Sequence, residues 1–177
     1  MMKHQYNQKL VGANACWLFA FTTALSNLWN YHLTNEDLKD MYISTGRNNN
    51  WWLPIRNMKQ ALTWWNNKFK KNMLSRFISE SVNTRIEKWS KGIIVIHLRI
   101  NNEMAIDVMD WSLDKLPLDK TTGWHAMCLV YENGKYLFVD NYLWVKRYNE
   151  YKVTLPMIRK LLHSGLLRDT CYYVSKY

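Results

Sequence analysis

An α+β fold is predicted for this chain from three observations. Helical spacing dominates its first half, β-branched and alternating runs dominate its second, and an Asn-Gly turn joins two of those runs as a hairpin. The order, helices first and antiparallel strands after, indicates a helical layer packed on a sheet layer. The expectation is one domain over 1–177, with about 1–90 mainly helical and about 91–177 mainly β.

Each element has its own signal. Residues 11–14 read as a short loop, with Asn14 as a candidate N-cap. Ala15 to about Asn30 reads as a helix whose apolar positions (Trp17, Leu18, Phe19, Phe21, Ala24, Leu25, Leu28) surround it almost completely. Such a helix is expected to be central and buried. Thr34 with Asp37 suggests a capping box opening a short helix. Asn48 to Asn50 reads as a loop. Pro54 suits the first turn of another helix, in which Ile55, Met58, Leu62 and Trp65 keep helical spacing. Residues 66–80 are polar and basic, and 81–90 are expected to be helical.

The period then changes. Gly92 to Ile100 is β-branched and reads as a strand. Residues 125–131 and 135–140 read as two more, joined through Glu132-Asn133-Gly134. Leu155 to His163 reads as a helix and Thr170 to Val174 as a final strand.

Composition bounds the function. The net charge is +10, which a solvated basic surface explains, while leaving nucleic acid as a conceivable partner. No Lys/Arg run exceeds two residues and no nucleic-acid module is recognisable. The stretch Lys68-Phe69-Lys70-Lys71 with Arg76 is the most basic and reads as a solvated helix face. The pairs Trp51-Trp52 and Trp64-Trp65 read as core. Three cysteines without close spacing argue against a disulfide framework and a zinc knuckle, and no metal or cofactor is expected. Segment 1–10 lacks the apolar run of a signal peptide, and no stretch is apolar enough to span a bilayer. A cytoplasmic, reducing compartment without a membrane partner is the expectation. Abundant Asn and Lys are what an A/T-rich phage or viral genome would give, which adds virion association to the expectations.

The chemistry centres on Cys16. Cysteine reacts as its thiolate, and unpaired N–H groups at a helix N-terminus favour that anion. Cys16 falls in the first turn of the predicted helix, whereas Cys128 and Cys171 fall inside strands, where a thiol acts as a small apolar side chain. Among the five histidines, His4 lies in the N-terminal tail, and His32 and His163 lie at helix ends. His97 alternates within an apolar strand and reads as a hydrogen-bonded structural residue. His125 opens a strand after Thr121-Thr122-Gly123, so its ring can face a cleft from the sheet edge.

The hairpin leaves two registers open. A two-residue loop, Asn133-Gly134, sets His125 opposite Tyr142 and turns Asn141 to the other face. A three-residue loop over 132–134 sets His125 opposite Asn141, where the amide could hold the imidazole. Asp140 is the runner-up orienter for a register shifted by one.

At this point the chain resembles the papain family of cysteine peptidases. Asn7-Gln8 and Gly12-Ala13-Asn14-Ala15-Cys16-Trp17-Leu18-Phe19-Ala20 are similar to that family's active-site helix. Thr34-Asn35-Glu36-Asp37-Leu38 resembles the segment that follows it, and Gly92-Ile93-Ile94-Val95 resembles the strand after its Gly-Pro-Val. Gly123-Trp124-His125-Ala126-Met127 is similar to its His-Ala motif, and Asp140-Asn141-Tyr142-Leu143-Trp144 to its Asn-Ser-Trp motif. The order Cys, His, Asn is also the family's.

The resemblance implies a papain-like fold: a helical half packed on an antiparallel sheet or partial barrel, with the cleft between. It implies a peptide or isopeptide hydrolase with catalytic Cys16, His125 and Asn141, Gln8 as oxyanion donor and Trp144 shielding the His–Asn bond. A protein or peptide would be the substrate. Three departures stand out. Gln8 lies eight residues before Cys16, two farther than the family's usual spacing, which leaves Asn14 as a local alternative donor. The disulfide cysteines of secreted members are absent, and Val145 replaces the glycine that usually follows the Asn-Ser-Trp motif. An acyltransferase using the same triad, or a non-catalytic papain-like module of a virion or nucleic-acid assembly, is the alternative.

Overall fold

A computed structural model describes residues 4, 6, 15–46, 54–88, 92–100, 123–140 and 149–177. The chain runs α1 (Cys16–Trp29), α2 (Asn35–Ser44), α3 (Pro54–Phe69), a 3-10 turn (Lys70–Asn72), β1 (Ser75–Ser81), α4 (Val82–Lys88), β2 (Gly92–Ile100), β3 (Gly123–Glu132), β4 (Lys135–Asp140), β5 (Asn149–Val153), α5 (Leu155–His163) and β6 (Thr170–Lys176).

The six strands form one antiparallel sheet in the order β1-β6-β2-β3-β4-β5. It is unclosed, with β1 and β5 at its edges, so of the two expected forms the described residues make a sheet and not a barrel. Alternation along the strands divides the apolar side chains between two cores. Val95, Ala126, Cys128, Val139 and Tyr172 pack with α1, α2 and α3. Ile94, Ile96, Met127, Leu129 and Phe138 pack with α4 and α5.

Helices therefore cover both faces, and the expectation of a single helical layer is corrected. The cause is visible in the central strand. Ile94, Val95 and Ile96 are successive and all fully buried, so neither face of β2 could be left to water.

α1 is the central helix. Leu18, Phe19, Phe21 and Leu25 have no exposed surface, and each such burial is worth about 1.5–3 kcal/mol. The helix ends at Asn30, whose left-handed φ of 51° accompanies a bond from Tyr31 N–H to the Ser26 carbonyl at 2.9 Å. Its N-cap is Ala15, not Asn14, and no side chain caps the first turn. α2 opens on the expected capping box: Asp37 N–H donates to Thr34 Oγ1 at 3.1 Å, and Thr34 N–H donates to Asp37 Oδ2 at 3.0 Å.

The hairpin resolves the open register. Asn133 (φ 53°) and Gly134 (φ 75°) form a two-residue loop, with Glu132 paired to Lys135 and Cys128 to Val139. Both left-handed values are what a type I′ turn requires. The three-residue register, which would set Asn141 opposite His125, is not the one this ladder adopts.

No helix among the described residues is long and apolar enough to cross a membrane.

Candidate active site

Cys16 begins the first turn of α1, whose N-cap, Ala15, makes no side-chain cap bond. The Cys16 side chain is buried, with 9% of its surface exposed. Directly ahead of it lies β3. The β3–β4 ladder runs from Cys128 to Glu132, so the amide of Ala126 lies beyond it. That amide donates to Cys16 Sγ at 3.5 Å. Sequence reasoning missed this donor, because only the three-dimensional placement of the strand end reveals it.

His125, one residue earlier, is also buried. Burial by itself would raise the Cys16 thiol. A hydrogen bond to the His125 side chain, the charge of that imidazole, and the N–H groups of Ala126 and Trp17 together outweigh burial and hold the thiol below its ordinary value. Cys16 and His125, selected from sequence, are thus brought together.

The other cysteines differ. Cys128 donates its S–H to the Ala20 carbonyl at 3.1 Å. Burial, helped by the charge of Glu80, pushes the Cys171 thiol up to about 12. All three are free thiols.

Gln8, Asn14, Asn141 and Trp144 lie outside the described residues. Asp140, the runner-up orienter, is described as the last residue of β4, and its side chain is not.

His97 departs from expectation. It is buried at 8% exposure, but its Nε2 has no hydrogen-bond partner among the described residues. It stands opposite Ala126 across the β2–β3 ladder. Burial, then the charges of Arg168 and His125, lowers it to about 4, so the ring is neutral near pH 7. Its polar place in an apolar strand was a legible signal, but its lack of a partner was not. Arg168 gave no sequence signal. Its guanidinium lies over the Trp124 ring, 4.3 Å from the centroid, beside His125 in the chain. His32 and His163 are exposed, as expected for helix ends.

Comparison with protein-family models, curated proteins and solved structures finds no match.

Proposed function

We propose that the chain is a cysteine hydrolase of peptide or isopeptide bonds, with Cys16 as nucleophile and His125 as its base. One observation carries the reading. A buried thiol at an uncapped helix head bonds an imidazole and two backbone N–H groups, and lies below its ordinary pKa despite burial.

In this reading the thiol proton passes to His125, leaving a thiolate and an imidazolium. The thiolate adds to the carbonyl carbon, and the oxyanion takes the backbone N–H of Cys16 and the amide of Gln8. As the C–N bond breaks, His125 returns its proton to the leaving amine. His125 then takes a proton from water as the hydroxyl adds to the thioester. Collapse releases the acid, and the proton returns to sulfur. Asn141 orients the ring in this scheme, with Asp140 second. Trp144 would cover the ring from water.

The test is labelling by an electrophilic peptide, read by intact mass and peptide mapping, together with turnover of a quenched peptide pool. One covalent adduct at Cys16, lost in Cys16→Ala and His125→Ala together with turnover, is expected. Labelling spread over all three cysteines without turnover would contradict it. Capture of the acyl group by an added amine in preference to water would redirect the reading to acyl transfer.

A further inference from the structure

We propose that Arg168, carried on the ring of Trp124, and the unpartnered Nε2 of His97 form an anion-recognising subsite beside Cys16, so that the site takes peptides with an acidic side chain next to the reacting carbonyl. This rests on the hydrolase reading and adds a substrate class to it.

The placement comes from the sheet. Cys128 reaches the carbonyl of Ala20 in α1, so by alternation Ala126 and Trp124 are on the α1 face too. His97 stands opposite Ala126, whose amide contacts the sulfur. The Arg168 N–H donates to the His97 carbonyl at 3.0 Å, which ties the segment after α5 to this end of β2. From there the exposed guanidinium reaches the Trp124 ring at 4.3 Å. Trp124, His97 and Arg168 therefore gather at the head of α1, on the side of the sheet where Cys16 begins.

The chemistry of the group is cationic and incomplete. Among the described residues no carboxylate pairs with Arg168; the two described ion pairs are Lys68–Asp37 and Arg85–Glu80. A guanidinium held over an aromatic ring by its carbon can still offer N–H groups to a planar carboxylate. The His97 Nε2, on the strand that Arg168 is tied to, lacks a partner, a state that costs a buried polar atom free energy. An anion supplies what both lack. It pairs with Arg168, and its charge favours an N–H on His97 Nε2.

The test compares two alkylating agents of one size and reactivity class that differ in charge. Rates of Cys16 modification by iodoacetate and by iodoacetamide are measured on the full chain by peptide mapping. Arg168→Gln should lower the iodoacetate-to-iodoacetamide ratio by about three-fold or more at low salt, a difference that shrinks as salt screens the charge. Arg168→Lys should keep most of the ratio, and the iodoacetamide rate should stay near wild type in both variants. In parallel, wild type should turn over peptides with Asp or Glu beside the cleaved bond faster than their Asn or Gln counterparts, and Arg168→Gln should erase that preference. An unchanged ratio with normal iodoacetamide reactivity overturns the anion subsite alone. No reaction of Cys16 with either reagent overturns the nucleophile, and the subsite falls with it.

Discussion

The amide of Ala126 points at the sulfur of Cys16 from 3.5 Å, joining residues 110 positions apart. That contact fixes where the head of a buried helix meets the end of a central strand. It also decides which of three cysteines is chemically distinct, because only the sulfur at the helix head meets both an imidazole and backbone N–H groups.

Thiol selectivity follows. In the native protein at pH 7, substoichiometric iodoacetamide should modify Cys16, leaving Cys128 and Cys171 unmodified until the chain is unfolded in urea. Cys128 is committed to the Ala20 carbonyl, and Cys171 is pushed up to about 12. Peptide mapping before and after unfolding checks this, and early modification of Cys171 would contradict it.

His97 predicts a pH dependence of stability. Its folded pKa, about 4, lies below the unfolded value of 6.5, so the unfolded chain binds more protons between these limits. Stability from this group is fully present above pH 6.5 and is lost as pH falls toward 4. The span corresponds to a loss of up to about 3 kcal/mol. Urea unfolding across this range should show that slope in wild type and a shallower one in His97→Gln. Parallel slopes would mean that His97 is protonated or partnered in the folded state.

The turn between β3 and β4 offers a backbone test. Gly134 has φ 75°, and a Cβ added there would meet nothing within 4 Å, so any cost of Gly134→Ala is conformational. A loss of about 1 kcal/mol is expected in urea unfolding, with Asn133→Gly close to neutral because φ is 53° there. A neutral Gly134→Ala would argue against the two-residue loop.

Elements with strong local chemistry were legible in sequence. α1, α5, β2 and the capping box of α2 carry apolar periodicity, β-branching or a capping pair that admit one reading. β1 was hidden inside a stretch that reads as polar and basic. It is an edge strand in which only Ser75 is fully covered, so it carries little apolar pattern. β5, the opposite edge, escaped for the same lack of an apolar run. The hairpin was legible, but Glu132-Asn133-Gly134 suits both loop lengths, and only the ladder distinguishes them. In the candidate site, Cys16 and His125 were legible because a helix start and a strand start are local features. The Ala126 amide, the unpartnered His97 and the Arg168–Trp124 stack arise where distant segments meet, and no spacing in the chain encodes them.

The most direct measurement is the rate of Cys16 alkylation by iodoacetamide as a function of pH, in wild type and in His125→Ala. The wild-type profile should rise with a midpoint below the ordinary thiol value of about 8.5. In His125→Ala the midpoint should move above that value, because burial stays while the imidazole's bond and charge are gone. A wild-type midpoint near the ordinary value, unmoved by His125→Ala, would contradict the pairing on which the hydrolase proposal rests.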